Sequence, residues 1–290
     1  MTRFQARLLT TAILLALPAA ASAHRQWLMP SATVFSGTTS YVTVDAASSN
    51  DLFFADHRAS SLETIKVWAP DGTPGAIENG ASGKVRSTFD VKLDKPGTWK
   101  IGSQNSSVMG SFKLNGEERR VGGRPGAMGA GGVVAGGQPA AGPRARVSVA
   151  DIPAEATDVK LTEIISRNEI YVTADQPSTT IFKPTGKGIE FQPVTHPDEL
   201  VVGEKADFRF LVDGKPAAGL KVTVVPGGKR YRNDDGARDF TTGANGVVGI
   251  DWPAAGLYWI NASLTDDKPS EPKASQRRMS YMTTVEVLLP

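Results

Sequence analysis

Three histidines, His24, His57 and His196, carry most of the chemistry that this chain can offer, because it contains no cysteine. Without thiols there is no disulfide framework, no thiolate metal site, no cysteine nucleophile and no iron–sulfur cluster. Any bound metal must be held by His, Met, carboxylate or backbone groups. His24 is the most informative of the three, because of what precedes it. Arg3 and Arg7 form a basic start, Leu8 to Leu17 an apolar run too short to span a bilayer, and Ala21-Ser22-Ala23 a small-residue cleavage site. Residues 1–23 are therefore expected to be a secretory signal peptide, and cleavage after Ala23 makes His24 the first residue of the mature protein.

A free amino-terminal histidine is a chelate. Its α-amine, with an ordinary pKa of about 8, and its imidazole Nδ1 can close a ring on one ion. A second imidazole then gives a three-nitrogen, T-shaped site suited to copper(II) or nickel(II). His57 and His196 are the candidates for that second donor, with Met29, Asp56, Asp198 and Glu199 as further ligands. His57 stands where the apolar run Leu52-Phe53-Phe54 breaks into Asp-His-Arg, at a strand end or in the loop after it. Asp56, next to it, could orient its ring, although adjacent residues on an extended chain point apart. His196 lies in Thr195-His196-Pro197-Asp198, an extended or turn segment before the next strand. Competing with the metal-site reading, a terminal His can be merely solvated, and the other two fit ordinary turns.

The elements that must position these residues read as strands. The chain has 290 residues, 30 of them Gly and 19 Pro, with only 7% aromatics, a composition that favours strands and turns over helix bundles. Its 32 basic and 30 acidic side chains are nearly balanced, and the signal peptide removes two arginines and no acid, which leaves the mature chain formally neutral. No run of Lys and Arg large enough to displace counterions from phosphate is present, so no nucleic-acid partner is expected. No later segment approaches 18 unbroken apolar residues, so no membrane span is expected in the mature protein.

Residues 24–183 are expected to form an N-terminal antiparallel β-sandwich. Its strands lie near Tyr41–Val44, Thr64–Trp68, Val85–Leu93, Thr98–Ile101, Val159–Ser166 and Ile170–Thr173, with turns at Asp71-Gly72, Asn79-Gly80 and Pro96-Gly97. Within this module, residues 115–143 are Gly-rich and poor in large apolar groups, and ordering them would cost more entropy than burial returns, so a flexible insert is expected there. A short helix between Asp151 and Val159 is a weak alternative to a turn. Residues 184–290 repeat the strand rhythm at Ile189–Gln192, Ala206–Val212, Leu220–Val225, Gly246–Asp251, Gly256–Asn261 and Tyr281–Val287, consistent with a second sandwich that is immunoglobulin-like or transthyretin-like. Phe208 and Phe210 alternate with Arg209 and belong to a core. Trp252, Tyr258 and Trp259 are read as core aromatics rather than a carbohydrate platform. The fold class is thus all-β, two antiparallel β-sandwich modules.

Several ordered segments carry a family resemblance: His24-Arg25-Gln26-Trp27-Leu28, Ser49-Asn50-Asp51-Leu52-Phe53, the run from Pro184 through Thr195-His196-Pro197, Asp213-Gly214-Lys215-Pro216 and Ala255-Gly256-Leu257-Tyr258. Together they resemble a periplasmic domain-of-unknown-function family whose members are described as NikM-like, components associated with cobalt or nickel uptake. The resemblance covers nearly the whole mature chain and implies an exported β-sandwich protein that handles a transition metal. One feature departs from nickel-binding amino termini, in which His stands second or third: here His24 stands first, a geometry similar to the histidine brace of copper proteins.

The expected function is a periplasmic accessory protein that binds nickel, cobalt or copper through His24 with His57 or His196, with a membrane metal transporter as partner. The alternative is a non-enzymatic scaffold for an envelope transporter with incidental histidines. A copper-dependent oxidase is the third reading. No nucleophile–base constellation and no phosphate loop is visible, so an enzyme is not expected.

Overall fold

A computed structural model describes residues 24–122 and 147–290. The expected signal peptide and most of the expected Gly-rich insert lie outside the described residues. Among them no helix is long and apolar enough to cross a membrane.

The chain is all-β. Ten strands precede residue 122: β1 (Arg25–Pro30), β2 (Val34–Phe35), β3 (Ser40–Ser49), β4 (Arg58–Ala59), β5 (Ile65–Trp68), β6 (Pro74–Gly75), β7 (Glu78–Ser82), β8 (Ser87–Leu93), β9 (Gly97–Leu114) and β10 (Glu117–Val121). After residue 147 come β11 (Thr157–Ala174), β12 (Ile189–Pro193), β13 (Leu200–Val201), β14 (Lys205–Val212), β15 (Lys215–Pro216), β16 (Lys221–Pro226), β17 (Arg238–Thr241), β18 (Val247–Asp251), β19 (Gly256–Asp266) and β20 (Gln276–Leu288).

Three sheets result. The first has the order β1-β3-β8-β7 with β4 added to β3, and the third joins β12, β14 and β15 with β18 beside β14. Between them in the chain's architecture runs a large sheet, β17-β16-β19-β20-β11-β9-β5-β6. Alternation explains the layering, since Phe89, Val91 and Leu93 on β8 and Val42 and Val44 on β3 point inward against Ile101, Ile170 and Val172 of the large sheet. The other half of the large sheet packs on the third sheet, burying Phe208, Phe210, Phe191, Tyr281, Trp252 and Tyr258 in a second core. Complete burial of a side chain such as Phe208 contributes about 1.5–3 kcal/mol.

The two cores share a sheet because β20 runs parallel to β11, from Thr162 opposite Gln276 to Ile170 opposite Thr284. A third apolar cluster, containing Trp27, Ala47, Leu52, Val225, Trp259 and Met282, ties β1 and β3 to the far half of that sheet.

The structure departs from the sequence reading at definite points. Val159–Ser166 and Ile170–Thr173 belong to one 18-residue strand, β11. Its polar middle, Arg167-Asn168-Glu169, is buried rather than turned to solvent. Arg167 meets Glu169 at 3.6 Å and Glu190 at 3.4 Å. Asn79-Gly80, expected as a turn, lies inside β7 at a shift of register against β8, as a bulge. No helix forms between Asp151 and Val159; Ala156 instead closes a turn onto the Pro153 carbonyl. The first residues of the expected Gly-rich insert form β10, which pairs with β9 across the Asn115-Gly116 turn.

Candidate metal centre

Positions 24 and 57 meet because β3 is flanked on both sides at its end. β1 pairs with it antiparallel, placing Arg25 opposite Ser49, and β4 pairs on the other edge, placing Arg58 opposite Ser48. His24 and His57 each stand one residue outside these pairings, at the same end of the sheet. Their rings stack, with centroids 3.5 Å apart and planes 6° from parallel, and both residues are exposed.

The loop between β3 and β4 is held by its own polar groups. The Asn50 N–H donates to Asp56 Oδ1 at 3.0 Å and its Nδ2 to Oδ2 at 3.2 Å. Asp56 thus spends its carboxylate on Asn50. Beneath the loop, Trp27 Nε1 donates to Ser49 Oγ at 2.6 Å, which fixes β1 on β3 just behind His24. Phe53 adopts a left-handed conformation, φ 61°, to turn the chain.

Residues of the connection between β16 and β17, together with Trp259 of β19, buttress the same end, a role the sequence reading missed. Arg25 pairs with Asp235 at 2.7 Å and lies over the Trp259 ring at 5.7 Å. That hydrogen bond holds the Asp235 carboxyl below its ordinary range. Trp259 Nε1 donates to the Gln26 carbonyl at 2.9 Å. Lys229 meets Asp51 at 3.1 Å, and the Arg230 guanidinium stacks 4.1 Å from the Phe54 ring centroid. Arg232 shapes this buttress, donating to the carbonyls of Gly227, Pro226 and Asp235. Apart from the local bonds of Arg232, these contacts join positions some 200 apart in sequence, so no local motif announces them.

His196 lies elsewhere. It is 8% exposed, edge-on to Phe182 at 5.6 Å, beside the start of β9 and the end of β11. Its Nδ1 accepts from the Asp198 N–H at 3.2 Å, which assigns the ring proton to Nε2. Nε2 then donates to Thr98 Oγ1 at 3.0 Å. Thr98 Oγ1 lies 3.0 Å from Thr173 Oγ1, which donates to Asp198 Oδ2 at 2.6 Å and closes a buried ring of hydrogen bonds. Burial lowers the His196 pKa. Burial likewise pushes the Asp198 carboxyl up to about 7, with Glu286 and Glu199 adding to the rise and the Thr173 bond opposing it. The Thr173 N–H also bonds the Thr33 carbonyl, beyond the far end of β1. With β1 extended at about 3.3 Å per residue, His196 sits on the order of 20 Å from His24. Met29 packs against the third apolar cluster, and Asp198 belongs to the His196 ring. The structure therefore brings together His24 and His57 and keeps His196 apart.

Among the described residues no three His, Asp or Glu side chains converge as a ready cage. At the exposed pair the donors are two imidazoles and, once His24 is the first residue, its α-amine. Ligating nitrogens bind at about 2.0–2.1 Å in the plane of their ring. An ion midway between parallel rings would lie half the 3.5 Å spacing out of each plane. Coordination by both therefore requires one ring to turn out of the stack, which two exposed side chains can do.

Residues 21–266 match the family described as a domain of unknown function (DUF4198), and the chain belongs to that family. No curated protein matches it significantly. Among solved structures it is similar to the D0-D1 domain of intimin, at 11% identity over 90% of this chain and 97% of that one, with a TM-score of 0.21. The human OSCAR ligand-binding domain matches at 10% identity over 91% and 100% of the respective chains, TM-score 0.20. The native conformation of E. coli alpha-2-macroglobulin matches at 11% identity over 93% of this chain and 14% of that one, TM-score 0.22. Nothing about the activity of this chain follows from likenesses of that size.

Proposed function

We propose that the mature protein is a periplasmic transition-metal-binding accessory protein, its ion held by the α-amine and imidazole of His24 and the imidazole of His57. The observation that carries this reading is the contact between the His24 and His57 rings at 3.5 Å, at one exposed end of the first sheet. Two of the three histidines in 290 residues meet there, and one of them is the residue that signal-peptide cleavage after Ala23 would make amino-terminal. The third, His196, has both ring nitrogens engaged in the core and is not a ligand in this proposal.

Three nitrogen donors without thiolate suit copper(II) and nickel(II), and copper binds more tightly by the ordinary order of divalent affinities. The NikM-like resemblance favours nickel or cobalt as the physiological cargo and a membrane transporter as the partner. An accessory role, rather than catalysis, fits an ion site on an open sheet end.

The test is a four-residue extension. Mature protein beginning at His24 and protein carrying Gly-Ser-Gly-Ser before His24 are titrated with copper(II) and nickel(II) at neutral pH. The extension takes the amine away from the His24 imidazole and puts the histidine fifth, clear of the second and third positions that form chelates of their own, while leaving both rings in place, and affinity should fall by about tenfold or more. Equal affinity for the two proteins would overturn the terminal chelate.

A further inference from the structure

We propose that a cleft on the second core, remote from the histidine pair, binds a small organic anion bearing a carboxylate and an apolar body. The cleft holds about 620 Å³ and is lined by Thr179, Thr180, Phe182, Lys183, Pro184, Gln192, Pro193, Val194 and Arg209. That volume falls within the range of small-molecule sites.

Its floor is rigid. The Phe182 and Lys183 N–H groups bond the carbonyls of Thr179 and Thr180, so a single 3-10 turn fixes one wall. Phe182 is only 7% exposed and is wedged against Tyr171 at 4.7 Å, His196 at 5.6 Å and Phe191 at 6.3 Å. Pro184 and Pro193 set the flanking backbone, and Val194 stands 58% exposed at the rim. An apolar body therefore has a preformed surface to lie on.

The cations of the cleft supply the charge recognition. Arg209 projects from β14 beside Gln192 of β12, whose Oε1 accepts from its Nη1 at 3.3 Å. Among the described residues neither Arg209 nor Lys183 meets a carboxylate within ion-pair distance. The nearest acid on the same strand, Asp207, lies 3.8 Å from Lys205. By contrast, the guanidinium of Arg232 in the cleft beside Phe53 is consumed by three carbonyls. Arg209 keeps a fork of donors for a carboxylate, Lys183 adds a second charge, and the Thr179 and Thr180 hydroxyls can complete the shell.

The test uses isotope-labelled mature protein, free of metal, with hexanoate and succinate as probes and inorganic phosphate as the arm that separates a carboxylate site from general anion attraction. Amide shifts should change saturably at residues 179–184 and 192–194 with hexanoate or succinate, and weakly or not at all with phosphate. Lys183→Gln changes an exposed side chain and Arg209→Gln a half-buried one; an unchanged amide spectrum elsewhere checks that each keeps the fold, and each should weaken binding about tenfold. Absence of saturable shifts, equal response to phosphate, or binding unchanged in both variants would overturn the proposal. Because His24 and His57 take no part, the outcome is independent of the metal site.

Discussion

Replacing Asp198 with Asn should stabilise the protein, and by an amount that depends on pH. The carboxyl titrates near 7 in the folded chain against 3.8 as the ordinary value, chiefly because burial penalises its charged form. Between those values the unfolded chain has released the proton and the folded chain still binds it, so this group makes stability fall as pH rises from about 4 to 7. A shift of three units at about 1.4 kcal/mol each corresponds to a penalty of ~4 kcal/mol above neutrality. Asn carries no charge, and its Oδ1 can accept the Thr173 hydroxyl that now donates to Asp198 Oδ2 at 2.6 Å. Urea unfolding of the two proteins at about pH 4 and pH 8 measures the difference, with ~2–4 kcal/mol in favour of the variant at the higher pH and near zero at the lower. His196 contributes with the opposite sign. Its lowered pKa means that stability is lost as pH falls below 6.5, but this occurs in both proteins and cancels in the difference. A variant less stable than wild type at pH 8, or a difference that does not change with pH, would refute the reasoning.

Other outcomes follow from the packing and from the donors. Arg167→Ala leaves the Glu169 and Glu190 carboxylates buried without their cation and should cost about 3–5 kcal/mol, read as a lowered urea midpoint. Phe208→Ala empties a fully buried aromatic site in the second core and should cost about 3–5 kcal/mol in the same assay. Gly102→Ala points a methyl group at the Asn168 carbonyl oxygen across the β9–β11 pairing and should cost about 1–3 kcal/mol. Metal affinity should fall as pH is lowered, because imidazole and amine must lose their protons to ligate, and a flat profile between pH 5 and 8 in calorimetric titration would exclude these donors.

Much of the strand content could be read locally. Phe208 and Phe210 alternate with polar neighbours and are buried, and Asp213-Gly214 turns between β14 and β15 with both residues at positive φ. Trp252, Tyr258 and Trp259 are core residues, as their apolar surroundings suggested. Reading failed where a distant partner reverses a local signal. Arg167-Asn168-Glu169 looks like a break between strands, yet Glu190, Gln104 and Tyr171 pair with its charges inside the protein. The parallel pairing of β11 with β20 leaves no local trace, since the paired residues lie more than 100 positions apart. At the candidate site, residue type singled out three histidines, but nothing local could say which two meet. That choice follows from β1 and β4 flanking the end of β3, and from the cross-core clamps Arg25–Asp235 and Asp51–Lys229.

The most direct test of the metal centre is a titration of the mature protein, its amino terminus confirmed as His24 by intact mass, with copper(II), nickel(II) and cobalt(II) alongside the variants His24→Ala, His57→Ala and His196→Gln. Tight binding of one ion per chain that is lost in the first two variants and kept in the third is the predicted result. Binding that is indifferent to His24 and His57, or that disappears only with His196, would contradict it.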